Sequence, residues 1–140
     1  MIRITEDSEP KYNPALESGL VGIGGAFGAL ARYAVDQLYP TLGATTFPWP
    51  TFAINVSGAM LLGIMLAWSD ARNVPAWIRP LAGVGFCGAF TTFSTVSAQI
   101  LMLAEAGEML VAGSYIAASV VAGVLAVVVG EWIVKKIVHE

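Results

Sequence analysis

Four long apolar segments joined by short polar turns make up most of this chain and leave it few ways to fold. They run from about Leu16 to Leu38, Phe52 to Trp68, Ala76 to Ala104 and Met109 to Val134. A helix crossing the hydrocarbon core needs roughly 20 residues, with 17 at the short limit. Lipid offers no partner to an open backbone, so each segment must satisfy its own hydrogen bonds as a helix. Charge agrees: only 12% of the 140 residues are charged, against about 25% in a soluble domain. The charges gather in the first seventeen residues, the joints and the tail. The expected fold is an all-α membrane protein with four transmembrane helices. Residues 1–15 read as a polar, disordered arm, 16–138 as a single transmembrane domain and 139–140 as a tail.

The third segment is too long for one straight crossing, since as a regular helix it would exceed about 40 Å. Its centre reads GFCGAFTTFSTVSAQ (Gly85–Gln99), with two glycines and five hydroxyl residues. An interruption is expected there. In the first segment Gly24 and Gly28 form a GxxxG, a small face that lets helix backbones approach. Trp49, Trp68, Trp77, Trp132 and Tyr39 fall at segment ends, as interfacial anchors do. With four crossings, Arg3, Lys11, Arg72, Arg79, Lys135 and Lys136 share one side of the membrane, leaving Arg32 alone towards the other. The positive-inside rule then puts both termini in the cytoplasm.

Several functions are excluded or disfavoured. The lead-in has no apolar core of a secretory signal. The single Cys87 forms no intrachain disulfide and reads as a small hydrophobe. A net charge of −3 with no basic patch gives no sign of nucleic-acid binding. No nucleophile–base pair or phosphate loop stands out, so an enzyme is not expected. A proton-coupled exporter needs a carboxylate within a span, but Asp36, Asp70, Glu105, Glu108 and Glu131 lie near segment ends.

Neutral hydrogen-bonding groups are what the spans do hold. Thr51, Asn55 and Ser57 lie in the second, Thr91, Thr92, Ser94, Thr95, Ser97 and Gln99 in the third, and Ser114, Tyr115 and Ser119 in the fourth. Uncharged donors suit an anion that must shed water, and aromatic edges are electropositive. Serine, threonine and asparagine also join membrane helices to one another, so for each hydroxyl both readings stand. Phe90 and Phe93 read first as core. A helix broken near TTFST would free carbonyls fit for a hard monovalent cation such as sodium. One chain offers few such oxygens, and a twofold-related partner would double them.

These motifs resemble a known family. GFCGAFTTFST, with FAINVSGAMLLG upstream and GGAFGALARY in the first span, is similar to the Fluc (CrcB) fluoride channels, from about Gly19 to Val134. The resemblance implies passive release of cytoplasmic fluoride through a multi-pass protein of a prokaryotic cytoplasmic membrane. It also implies an antiparallel, dual-topology dimer whose third helices break at the centre. A structural, non-transported sodium would take the main-chain carbonyls of Gly88 and Thr91 from both subunits. Asn55 would be the pore asparagine with Thr51 along its path, and Phe93 the pore phenylalanine. Ser94, Tyr115 and Ser119 would follow as a polar track, and Arg32 would stand near a vestibule. Two positions depart from the usual TTFSTFSAE: Val96 replaces a second pore phenylalanine, and Gln99 replaces a glutamate. The partner would be a second copy or an oppositely oriented paralogue. The alternatives are a small dual-topology exporter of organic cations and a non-conducting partner subunit.

Overall fold

The computed structural model describes residues 13–40, 43, 45–71 and 74–139. It is helical throughout, with no strand among the described residues. In chain order it comprises α1 (Pro14–Leu38), α2 (Trp49–Ala71), a π-helix (Arg79–Cys87), the single helical turn α3 (Gly88–Phe90), α4 (Ser94–Glu105) and α5 (Met109–His139). Four helical stretches are long and apolar enough to cross a membrane, with Arg79–Glu105 counted as the third. The disordered arm expected over residues 1–15 lies, up to residue 12, outside the described residues. So do Arg3, Lys11 and Arg72.

Local chemistry sets the helix ends. Asn13 caps α1 by accepting the Ala15 N–H at 3.0 Å, and Pro14 opens the helix, where its missing N–H costs nothing. Pro40 closes it, because the residue before a proline is pushed out of the helical region. The second helix starts three residues before the expected Phe52. Pro50 is in its first turn, which tolerates proline. Between α4 and α5 the chain reverses at Gly107, whose φ of 82° suits glycine. There the Glu108 N–H donates to the Leu103 carbonyl at 2.9 Å and the Gly107 N–H to that of Ala104 at 3.0 Å. Both last-turn carbonyls are thereby satisfied.

Glycine brings the spans together in two tight pairs. A Cβ on Gly24 would stand 1.9 Å from the Leu81 carbonyl oxygen, and one on Gly28 2.3 Å from that of Phe86. The first helix therefore lies backbone to backbone on the π-helix, as the GxxxG suggests. The second pair is α2 with α5, where a Cβ on Gly63 would stand 2.3 Å from the Val127 oxygen and one on Gly130 2.5 Å from that of Met60. Large apolar side chains on the outer faces, such as Phe27, Leu30, Val124 and Val128, are exposed, as lipid-facing residues are. Trp49, Trp68, Trp77 and Trp132 also face outward, and the Lys136 ammonium sits 5.5 Å over the Trp132 ring.

Candidate functional site

The third span stops being helical at Thr91, whose ψ is 159°, and resumes at Ser94. Both glycine-directed packing and side chains from other spans hold this interruption. Asn55 on α2 grips the Thr92 peptide from both sides. Its Oδ1 accepts the Thr92 N–H at 2.8 Å, and its Nδ2 donates to the Thr92 carbonyl at 3.0 Å. In a continuous helix that N–H would return to the Gly88 carbonyl, so the grip releases Gly88. From α1, Arg32 Nη1 donates to the Thr91 carbonyl at 3.4 Å. Thr92 Oγ1 accepts the Thr95 N–H at 3.1 Å and so caps the restarting helix.

The hydroxyls around the site sort into four groups, one of them a cluster at the break, where Thr92 Oγ1 donates to Thr95 Oγ1 at 3.0 Å and meets Ser94 Oγ at 3.3 Å. Thr91, Ser97, Ser57 and Ser114 donate to carbonyls of their own helices, at 2.9 to 3.1 Å. These neither join spans nor offer a donor. Thr51, Gln99 and Tyr115 form a chain across three helices. The Tyr115 hydroxyl donates to Gln99 Oε1 at 2.9 Å, and Gln99 Nε2 donates to Thr51 Oγ1 at 2.9 Å. Tyr115 and Thr51 are 0% and 2% exposed, and the Phe47 ring meets Tyr115 edge-on at 5.2 Å. Here the joining role is visible. Ser119 stands apart: its Oγ is buried and has no hydrogen-bond partner.

A groove of about 700 Å³ runs past the interruption, walled by α2, the third span and α5 but not by α1. Asn55, Phe93, Val96 and Ser119 line it, as do Gly88 and Thr91. Thr51, Ser94, Gln99, Tyr115 and Arg32 do not. The structure thus gathers six of the eleven residues singled out from sequence and sets the buried chain, Ser94 and Arg32 apart from them. Phe93 is 85% exposed on the groove's lip. Val96 is 8% exposed and packs with Leu103, Ala112 and Tyr115. The roles of Phe47 and of the Thr92 hydroxyl escaped sequence reasoning, since nothing local distinguishes Thr92 from Thr91.

Could the site hold a cation? Among the described residues no cluster of three histidine, cysteine or acidic side chains exists, so any seat must use neutral oxygens, which hard cations accept. The released Gly88 carbonyl and the Thr91 carbonyl fit that chemistry. Two oxygens do not by themselves complete a shell.

The fold and groove define a multi-pass membrane protein with an interrupted span and an uncharged, mainly apolar groove that Asn55 and Ser119 help to line. Comparison with known proteins narrows the class. The model for the CrcB-like protein, Camphor Resistance (CrcB) family matches residues 19–131. A "Fluoride-specific ion channel FluC" from Acidobacterium capsulatum is 46% identical over 121 residues, covering 84% of this chain and 95% of that protein. One from Idiomarina loihiensis is 41% identical over 107 residues, covering 76% and 83%. A "Fluoride-specific ion channel FluC 1" from Frankia casuarinae is 39% identical over 123 residues, covering 84% and 95%. The chain belongs to the CrcB-like family.

Proposed function

We propose that this protein is the subunit of a fluoride channel that lets the anion leave the cytoplasm passively and relieves its toxicity. Relatives named for that activity support the reading. The observation that carries it is Ser119, a buried hydroxyl with no acceptor in the wall of the groove. Leaving such a donor unmet costs about 1–3 kcal/mol, which an anion in the groove would offset. Asn55 spends one amide N–H on Thr92, and the second can face the anion. The exposed Phe93 ring supplies an electropositive edge beside them. None of these groups carries charge, so a small anion is stripped of water without being trapped.

The interruption belongs at the centre of an antiparallel dimer. Gly88 and Thr91 carbonyls from both subunits would hold a structural sodium that is not transported, and whose charge would fix the two breaks against each other. Thr51, Gln99 and Tyr115 brace the path, and Ser94 and Arg32 support the interruption beside it. A non-conducting partner subunit is the second reading, favoured by Val96, which has no polarised ring edge and is buried in a core cluster. Fluoride efflux from proteoliposomes, with chloride as control, tests both. Fluoride release selective over chloride is expected. No release from this chain alone, but release once a related chain is added, would favour the second reading, and chloride released as fast as fluoride would overturn the first.

A further inference from the structure

Arg32 lies one turn beyond Gly28, where α1 rests on the Phe86 backbone, and this contact sets its side chain beside the interruption. The guanidinium is part-buried, and its one hydrogen bond among the described residues is the long bond from Nη1 to the Thr91 carbonyl. The ion pairs among the described residues are Arg79 with Asp70 and Lys135 with Glu131. Among the described residues, therefore, no carboxylate pairs with Arg32. An arginine within a span needs a compensating partner, and a neutral carbonyl compensates it weakly. That carbonyl is one of the two assigned above to the central cation.

We propose that Arg32 sets the affinity of that cation seat by competing for the Thr91 carbonyl. This inference rests on the sodium reading of the preceding section. A guanidinium and a sodium ion on one oxygen repel each other, and the repulsion is strong where little water screens it. Sodium binding and the Arg32 bond to Thr91 therefore oppose each other: the cation lengthens or breaks the bond, and removing the guanidinium tightens the seat. Arg32 is a positioning residue here, acting on the seat through charge.

The test is thermal unfolding of the full-length protein in detergent, as its assembled dimer. Sodium chloride is titrated against N-methylglucamine chloride at constant ionic strength. Wild type should gain stability with sodium, and Arg32→Gln should reach half of its gain at a sodium concentration lower by at least about fivefold. Arg32→Lys keeps the charge and should stay within about twofold of wild type. On isotope-labelled wild type, sodium should also shift the Arg32 Nε–H resonance, a readout that needs no variant to fold. Equal midpoints for wild type and Arg32→Gln, or an Nε–H signal indifferent to sodium, would overturn the competition while leaving the cation seat intact. No sodium response in either protein would overturn both.

Discussion

At the scale of single residues, hydrogen-bond partners separate structural hydroxyls from available ones. Ser119 is the available one, so Ser119→Ala should uncouple stability from transport. Removing an unmet buried hydroxyl should leave the melting temperature unchanged or raise stability by up to about 1 kcal/mol. Fluoride flux should fall by roughly tenfold or more, since a hydrogen bond to a charged group contributes about 1.5–3 kcal/mol. Paired melts and proteoliposome flux would check this, and undiminished flux would remove Ser119 from the path. Val96→Phe acts in the opposite sense. A ring there restores an aromatic edge and should raise flux, but it enters the cluster of Leu103, Ala112 and Tyr115. Overpacking of that kind costs about 1–3 kcal/mol, so faster flux should come with a lower melting temperature.

At the scale of elements, glycine decides which helices touch. Gly28→Ala would drive a methyl group to 2.3 Å from a backbone oxygen that has no room to yield. It should destabilise the fold by about 1–3 kcal/mol or more, visible as lost yield of folded protein. Gly113→Ala is the matched control, with nothing within 4 Å of the added methyl. It should be neutral, or gain roughly 0.5–1 kcal/mol from helix propensity. These roles were partly legible in the sequence. The four spans followed from hydropathy, and the Gly24–Gly28 face from its spacing. The π-helix over Arg79–Cys87 did not, because the apolar pattern does not separate i→i+5 from i→i+4 bonding. Nor did the pairing of Asn55 with Thr92, 37 positions apart, or of Gln99 with Thr51, 48 apart. Such pairs depend on how the helices are rotated against one another, which a linear pattern of apolar residues leaves open. Thr51 and Tyr115 illustrate the limit: residue type marked them as polar groups in a membrane, but only packing distinguishes a buried brace from a groove wall.

At the scale of the whole molecule, the structure sharpens the charge asymmetry. Arg79, Lys135 and Lys136 gather at one end, two of them paired with Asp70 and Glu131, while Asp36, Glu105 and Glu108 lie towards the other, so it is the basic residues that are unevenly divided. Arg32, the one basic residue nearer that second end among the described residues, has its guanidinium drawn to the interruption. Under the positive-inside rule the chain should insert in one orientation, with both termini cytoplasmic. C-terminal reporter fusions should be active only in their cytoplasmic form, and an even split between forms would refute this. A single orientation in an antiparallel dimer would favour the second reading, in which an oppositely biased chain completes the channel.

The grip on the Thr92 peptide also bears on biogenesis. Neither Asn55 nor Arg32 belongs to the span they hold, so the third segment alone has only its own hydroxyl caps to favour a break. Leaving the ribosome by itself it would enter lipid as an unbroken helix, every backbone bond closed. The first two spans are synthesised earlier, and they carry the amide and the guanidinium that bind the third. The opening at Thr91–Phe93 should therefore be completed late, when the third helix docks against the spans that carry Asn55 and Arg32. The chain makes its clamps before it makes what they clamp.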